Sequence, residues 1–536
     1  MSDVTVPHAA IGRPRFDKPT SLPARILFGL LVLAAIGYGA FNLLSDIASA
    51  HETLALGVFA LLALALLIAL GFEFVNGFHD TANAVATVIY TNSMPPAVAV
   101  VWSGVFNFLG VMVSTGAVAY SIVTLLPVEL ILQVGSGAGY AMIFALLLAA
   151  IIWNLGTWAF GIPNSSSHAL IGSILGVGLA NQLMSSGANQ TSGVDWGQAM
   201  AVGRALLFSP IIGFIFSALL LLVLKYVVRN PALYQEPKGA APPPWWIRII
   251  LIFTCTGVSF GHGGNDGQKG MGLIMLILIG AAPTAYALNR TMPDAAMPSF
   301  VQASQAAAAV FAHHAQGQPA VAPVEARQRV GAALRTKVLD KPEVYAALVA
   351  ISNDIAAQVR NYGAISHIPP AATPNVRNDM YLTSEAIRLL PTSGAKLSGA
   401  ETASLTAYGT DLQHGTRFIP LWVKVCVAFA LGLGTMVGWK RIVVTVGERI
   451  GKTHLTYAQG ASAELVAALT IGASELYGLP VSTTHILSSG VAGTMAANGS
   501  GLQWSTIRSI VLAWVLTLPA AITLAGVIYF ILRQVV

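Results

Sequence analysis

Two polar motifs interrupt long apolar stretches of this sequence, and each motif centres on an aspartate. The first, FVNGFHDTAN, spans residues 74–83, and the second, FGHGGNDGQK, spans residues 260–269. A carboxylate inside an apolar membrane span costs about 2.5–3.5 kcal/mol, and such residues mark ion or proton pathways. We interpret Asp80 and Asp266 as the groups that handle a coupling cation or proton, rather than as caps of broken helix ends. The polar side chains expected to assist them are Asn83, Asn265, His79 and Lys269.

A second pair of motifs has residue types that suit an oxyanion. GIPNSSSH occupies residues 161–168, and GLPVSTTH occupies residues 478–485. Proline starts a helix, so the Ser/Thr cluster behind it lies at a helix N-terminus, where unpaired N–H groups and the helix dipole favour an anion. Ordinary helix capping and histidine packing explain one such cluster equally well, but its recurrence favours an anion site. The candidate ligands are Ser165, Ser166, Ser167, His168, Ser482, Thr483, Thr484 and His485.

The four motifs form an internal repeat. The two aspartates are 186 residues apart, and the histidines that end the second pair of motifs are 317 residues apart. The difference of 131 is close to the 129 residues of segment 290–418, which is Ala-rich and carries dispersed charges. Without this segment the two halves have nearly equal internal spacing. We therefore interpret 290–418 as a soluble insert in the second half, partly helical around 325–361, with a passive or poorly ordered loop as the alternative.

The composition places these motifs in a membrane protein. The chain has 55% hydrophobic and 9% charged residues, whereas soluble domains carry about 25% charged residues. Several apolar runs exceed the ~20 residues of one span and contain Gly, Pro or polar clusters. We predict an all-α polytopic fold with broken helices at 54–93 and 249–288, and with re-entrant hairpins at 141–183 and 459–498. The net charge of +6 has no basic stripe and indicates basic loops rather than a nucleic-acid partner.

Basic residues beside the apolar runs set the expected orientation. They cluster at 225–248, at 440–452 and in the N-terminal segment, and such loops face the cytoplasm. Counting spans from there makes the two repeats inverted, with the N-terminus cytoplasmic and the C-terminus and insert periplasmic. The expected segments are 1–53 (cytoplasmic N-terminus and an extra transmembrane helix), 54–228 (first repeat), 229–248 (cytoplasmic linker), 249–289 (start of the second repeat), 290–418 (soluble insert) and 419–536 (remainder of the second repeat).

At these motifs the chain resembles the inorganic phosphate transporter (PiT) family, whose members carry a GAND-type signature and a Pro-x-Ser-Thr-Thr-His segment in each half. The variants here look like its bacterial low-affinity Pit branch, over about residues 54–288 and 419–532. The resemblance implies symport of inorganic phosphate, often as a neutral metal–phosphate complex, across the bacterial inner membrane. It implies proton coupling in the bacterial branch and sodium coupling in many other members. The sodium type has Asn in both signatures, so His79 and Lys269 favour protons.

Alternative functions stay open at this point. A sodium-coupled phosphate transporter or a sulfate transporter would use the same kind of site. A membrane enzyme acting on lipid phosphates would need arginine clusters beside a nucleophile, and the sequence lacks them, so we expect no enzyme. A receptor whose working part is the insert is a third interpretation. We expect no cofactor beyond the coupling H⁺ or Na⁺ and a divalent metal carried with phosphate. The expected partners are phosphate and the lipid bilayer, and self-association is left open.

Overall fold

The regular structure of this chain is helical. A computed structural model describes residues 16, 21–80, 82–126, 131, 136–185, 194–237, 239 and 241–535. Within these ranges no strand is present, and one isolated antiparallel bridge joins Gly451 to Leu502. The predicted all-α class is therefore confirmed. The basic N-terminal segment before Ser21, apart from Phe16, lies outside the described residues.

The helices form three groups along the chain, which are those before the insert, those of the insert and those after it. The helices before the insert are α1 (Leu22–Ser49), α2 (Leu56–Asp80), α3 (Ala82–Tyr90), α4 (Pro96–Val113), α5 (Ala117–Val123), α6 (Gly137–Ala159), α7 (Ser166–Met184), α8 (Trp196–Val227), α9 (Trp245–Ala281) and α10 (Pro283–Tyr286). The insert contains α11 (Met297–His314), α12 (Pro323–Thr336), α13 (Pro342–Tyr362), α14 (Thr373–Leu389) and α15 (Gly399–Thr416). The helices after it are α16 (Leu421–Thr435), α17 (Lys440–Val444), α18 (Tyr457–Leu476), α19 (Thr483–Asn498) and α20 (Trp504–Val535).

Length and hydropathy make many of these helices candidate membrane spans. Among the described residues, 7 helices are long and apolar enough to cross a bilayer, and α15 with α16 raises the number to 8 if that pair, bent by 75°, counts as one span. The polytopic character predicted from composition is thereby confirmed. The 7 candidates are α1, the stretch Leu56–Tyr90 that combines α2 and α3, α4, α6, α8, α9 and α20.

The second aspartate motif lies inside an unbroken helix, so the break predicted within 249–288 does not fall at the motif. Helix α9 runs from Trp245 to Ala281, and the break follows at Ala282, before α10 (Pro283–Tyr286). A Cβ added at Gly263 would meet the backbone of α4, and one at Gly270 would meet the side chain of Glu73 on α2. The motif glycines therefore allow neighbouring helices to approach closely, which needs no unwinding.

The second pair of motifs forms the turns of two helix–turn–helix units. Helix α6 leads through Pro163 into α7, and α18 leads through Pro480 into α19. Helix α7 packs against α20, while α19 packs against α8. Neither α7 nor α19 is among the candidate spans. The inversion of the two repeats relative to the membrane stays a prediction.

The insert folds around a hydrophobic core of its own. Buried side chains from α11, α13 and α15, among them Phe300, Ile351 and Tyr408, pack together. Arg327 on α12 holds α14 through an ion pair with Asp379 at 2.6 Å. Helices α12 and α13 cover the part of the insert for which the sequence predicted helix, and the insert is a packed helical unit.

Candidate functional site

Four helix segments bring all four sequence motifs together in the interior. They are the end of α2, the middle of α9 and the first turns of α7 and α19. Asp80 is 3% exposed, and Asp266 and Lys269 are fully buried. The Ser/Thr clusters at the starts of α7 and α19 are buried as well. The site thus consists of charged and hydroxyl groups enclosed by apolar helices.

Lys269 joins the second aspartate motif to the first helix end. Its Nζ lies 2.6 Å from Oδ1 of Asp266, one helical turn earlier on α9. The same ammonium donates to Oγ of Ser167 at 2.5 Å. A buried charge is tolerated only when it is paired and hydrogen-bonded, and Lys269 meets both conditions. One cation therefore contacts a candidate coupling carboxylate and a candidate phosphate ligand.

Asp80 makes a different link between the same two parts of the site. Its Oδ1 lies 2.8 Å from Nδ1 of His79, and its Oδ2 accepts the backbone N–H of Ser166 at 3.3 Å. Ser166 is the first residue of α7, so its N–H is one of the unpaired donors of a helix N-terminus. Nε2 of His79 lies 3.1 Å from Oγ1 of Thr157 on α6, which positions the imidazole beside the carboxylate. Asp80 thus occupies a donor that an anion would use.

His262 is a site residue that the sequence reasoning missed. Its Nε2 lies 3.6 Å from Oδ2 of Asp266, and its Nδ1 lies 2.7 Å from Oδ1 of Asn107 on α4. One ligand atom each from Asp80, His262 and Asp266 lies within 4.8 Å of the others, so this trio is a candidate cation or proton site. The sequence did contain a signal for it, because His262 occupies the position in the second motif that Asn76 occupies in the first.

The first residue of each Ser/Thr cluster caps its helix. Oγ of Ser165 accepts the N–H of His168 at 3.2 Å, and Oγ of Ser482 accepts the N–H of His485 at 3.0 Å. Both oxygens therefore act as helix caps, which is the alternative that the sequence left open. Their hydroxyl protons are still available to a ligand.

The hydroxyls that follow the caps differ in their partners. Among the described residues, Oγ of Ser166 and Oγ1 of Thr483 are buried without a hydrogen-bond partner. Oγ of Ser167 donates to the carbonyl of Val481 in the other turn at 3.0 Å. Oγ1 of Thr484 accepts from Nδ2 of Asn83 at 3.1 Å. These two hydroxyls therefore lie at the first residues of α7 and α19, the helix ends that an anion would approach.

The two helix ends face each other through their histidines. The ring centroids of His168 and His485 are 4.4 Å apart, and His485 stacks on Trp514 of α20 at 4.1 Å. Within the described part of the chain, Nδ1 of His168 and Nε2 of His485 have no hydrogen-bond partner. The structure therefore brings the two N-termini together, as an enclosing oxyanion site requires.

The two asparagines do not serve equivalent positions. Nδ2 of Asn83 donates to the carbonyl of Asp80 at 2.8 Å and to Thr484, so Asn83 joins α3 to α19. Nδ2 of Asn265 instead donates to Ser474 at 3.3 Å and to the carbonyl of Leu479 at 3.2 Å. The amide nitrogen of Asn265 thus holds the turn between α18 and α19 rather than the aspartate pair.

Comparisons with known proteins place the chain in a family. Residues 76–525 match the model of the phosphate transporter family. The chain is 41% identical over 500 residues to the low-affinity inorganic phosphate transporter PitA of Escherichia coli K12, covering 88% of this chain and 97% of that relative. It is 29% identical over 468 residues to a probable low-affinity inorganic phosphate transporter of Bacillus subtilis, covering 87% and 96%.

A solved structure described as the sodium-dependent phosphate transporter aligns with a TM-score of 0.48 and 20% identity, covering 89% of this chain and 100% of that one. That likeness is too weak to support an argument. The curated relatives are named as transporters, which confirms the prediction of a transporter rather than an enzyme. Because the family model spans most of the sequence and the E. coli relative aligns over nearly its whole length, this chain belongs to the phosphate transporter family.

Proposed function

We propose that this protein is a secondary active symporter that imports inorganic phosphate together with protons. The observation that carries the proposal is the contact between Asp80 and the helix end of α7. Oδ2 of Asp80 accepts the N–H of Ser166 at 3.3 Å, so a carboxylate already holds the donor that phosphate needs. Coupling then follows from competition for one N–H group.

The competition has a definite direction. An ionised Asp80 keeps the Ser166 N–H and repels a phosphate anion. Protonation of Asp80 removes its negative charge and weakens its hold on that N–H. Phosphate then gains a donor and loses a repulsive neighbour, so proton binding strengthens phosphate binding. By thermodynamic linkage, phosphate binding strengthens proton binding by the same factor.

His79 and His262 complete the proposed proton site. His79 lies 2.8 Å from Asp80, and His262 lies 3.6 Å from Asp266. Histidine exchanges protons near physiological pH more readily than other side chains. A proton entering this cluster can therefore be passed to Asp80 without leaving an isolated charge in the interior.

Lys269 supports protons over sodium as the coupling ion. Its ammonium contacts Asp266 at 2.6 Å and Ser167 at 2.5 Å, where a sodium ion would take its oxygen ligands. The ammonium of Lys269 neutralises the second carboxylate in this arrangement, which leaves Asp80 as the carboxylate whose charge changes.

Phosphate itself would be held between the starts of α7 and α19. The free hydroxyls of Ser166 and Thr483 and the unpartnered ring nitrogens of His168 and His485, all judged within the described residues, point to this position. Ser165, Ser482, Ser167 and Thr484 frame it through the caps and bridges described above. The same donors suit phosphate bound as a neutral metal complex.

The orientation proposed from the sequence completes the account. The N-terminus would be cytoplasmic, and the insert and C-terminus would be periplasmic, with the chain in the bacterial inner membrane. Two inverted repeats would allow the central site to open to either side in turn. The paired turns before α7 and α19 support this arrangement because they contribute matching helix ends to one site.

Proteoliposomes with separately imposed gradients test the function. We expect phosphate to accumulate when the outside is more acidic than the inside and sodium is absent on both sides. A sodium gradient at equal pH should give no accumulation above that of empty liposomes. Accumulation that requires sodium would contradict proton coupling, and failure under both gradients would contradict phosphate symport itself.

A further inference from the structure

A cavity lies where the insert meets the membrane helices, and two arginines line it. Arg377 comes from α14, and Arg417 follows α15. The space is about 60 Å³, and one water needs about 10–15 Å³, so the four oxygens of a phosphate group fit. Tyr120, Gly272 and Tyr381 also line it.

Arg377 is a buried cation without a carboxylate partner in the described part of the chain. It is 7% exposed, and its Nη1 donates to Oδ1 of Asn378 at 3.1 Å. Its guanidinium also lies 5.0 Å from the ring centroid of Tyr381. Burial lowers the pKa of Arg377, which reflects the cost of holding this charge away from water. A buried guanidinium is stabilised by an anion beside it.

Arg417 and Tyr120 add further donors to the cavity wall. Nη1 of Arg417 donates to Oε1 of Gln413 at 2.9 Å, and its Cζ lies 5.1 Å from the ring centroid of Tyr120. The hydroxyl of Tyr120 is buried and has no hydrogen-bond partner among the residues that the structure describes. Two guanidinium groups and an unused hydroxyl therefore line one small space.

Glu385 lies close enough to act on the charge of Arg417, but its ion pair is with another arginine. Glu385 on α14 pairs with Arg388 at 2.8 Å, and Arg388 also pairs with Asp195 at 2.8 Å. The contrast with Arg327 is direct, because Arg327 is half-buried in the same insert and pairs with Asp379 and Asp354. Within the described ranges, no ion pair to a carboxylate is formed by either arginine of the cavity.

We infer that this cavity is a second anion site, which binds a phosphate group beside the central site. Gly272, on its wall, lies three residues after Lys269 on α9, and one residue advances a helix by about 1.5 Å. The cavity therefore begins about 5 Å along the helix axis from the central lysine. Arginine binds phosphate oxygens in a bidentate manner. This inference rests on the proposed function only for the role of the site, which is to collect phosphate on its way to the centre.

The phosphate group could come from inorganic phosphate or from the headgroup of an anionic lipid, since the cavity adjoins the membrane helices. The chemistry of recognition is the same for both. Phosphatidylcholine is zwitterionic, whereas phosphatidylglycerol carries net negative charge. Liposomes made with and without phosphatidylglycerol therefore separate the two sources.

The test compares Arg417→Gln and Arg377→Gln with wild type in both kinds of liposome. Arg360→Gln, an exposed arginine at the end of α13, is the matched control. We expect KM for phosphate to rise about tenfold in each cavity variant, because a charge-assisted hydrogen bond is lost. The maximal rate and the response to a pH gradient should stay within about twofold of wild type, since the central site is intact.

Each outcome decides the inference. A raised KM in pure phosphatidylcholine assigns the site to inorganic phosphate, and an effect only with phosphatidylglycerol assigns it to a lipid headgroup. Unchanged KM for Arg417→Gln in both lipids overturns the second site. If Arg377→Gln does not fold, Tyr120→Phe and Arg417→Gln, both part-exposed, provide the same comparison.

Direct binding separates this inference from the proposed function. Radiolabelled phosphate is titrated onto the purified chain in a neutral detergent without lipid. If the liposome experiment assigns the site to inorganic phosphate, wild type should bind two equivalents of phosphate and Arg417→Gln should bind one. In that case a single equivalent in wild type, together with normal uptake, would overturn the cavity site and leave the function standing. Two equivalents without any uptake would contradict the function and leave the site standing.

Discussion

The two aspartate motifs occupy equivalent places in the sequence and hold their carboxylates in different ways. Asp80 is bound by a neighbouring imidazole and by the backbone N–H of Ser166. Asp266 is bound by the ammonium of Lys269, which also holds Ser167. A backbone N–H can be released to another ligand, whereas a buried ammonium needs a counter-charge at all times. Under the proposed function, the first half changes its charge during transport while the second half holds the geometry.

The largest effect is expected from Asp80→Asn. The amide cannot carry a proton or lose charge, so uphill uptake should fall at least about 100-fold, as expected when a coupling group is lost. The measurement is phosphate accumulation in proteoliposomes under an imposed pH gradient. Glu401→Gln, in the insert, serves as the control and should accumulate phosphate like wild type. Accumulation by Asp80→Asn at the wild-type level would break the division of roles.

Lys269→Asn makes the second motif match Asn83 of the first. Removal of the ammonium leaves Asp266 without its counter-charge, so proton-driven uptake should fall by about tenfold or more. We also expect sodium to stimulate the residual uptake, because the carboxylate can then accept a cation. Lys269→Arg, which keeps the charge, should retain more activity than Lys269→Asn. Full uptake by Lys269→Asn without sodium would show that the two halves are interchangeable.

Ser166→Ala and Ser165→Ala separate phosphate contact from helix capping. Oγ of Ser166 has no partner among the described residues, whereas Oγ of Ser165 caps α7. We expect Ser166→Ala to raise KM for phosphate by about fivefold without loss of thermal stability. Ser165→Ala should lower stability by about 1 kcal/mol. Uptake kinetics and thermal unfolding of the two variants give the answer, and a KM of Ser166→Ala equal to that of wild type would contradict a phosphate contact at Ser166.

The smallest effect on transport is expected from removal of the ion pair between Arg327 and Asp379 inside the insert. Arg327→Gln leaves the buried carboxylate of Asp379 without its partner and should destabilise the insert by about 3 kcal/mol. Burial already raises the pKa of Asp379 while Arg327 opposes that rise, so the variant should raise the pKa further. Uptake below the unfolding temperature should stay near wild type. A large loss of uptake at 25 °C would tie the insert to the transport step.

The sequence was sufficient for the features that local pattern controls. Proline followed by a Ser/Thr cluster predicted the helix starts at Ser166 and Thr483. The sequence could not supply the features that depend on which helices meet. His262 is held by a hydrogen bond to Asn107 on α4. The glycines of α9 let α2 and α4 pack closely against it while the helix continues. The position of Arg377, which has no carboxylate partner among the described residues, depends on how the insert packs against α9.

The central claim is that Asp80 and phosphate compete for the N–H of Ser166. Phosphate affinity of purified wild type and Asp80→Asn, measured from pH 5 to pH 8, tests it most directly. The ionisation of phosphate affects both proteins alike, so the difference between them reports on the side chain. The account predicts that affinity rises on acidification more steeply in wild type, and that Asp80→Asn binds at neutral pH as tightly as wild type at acidic pH. Parallel pH dependences in the two proteins would contradict it.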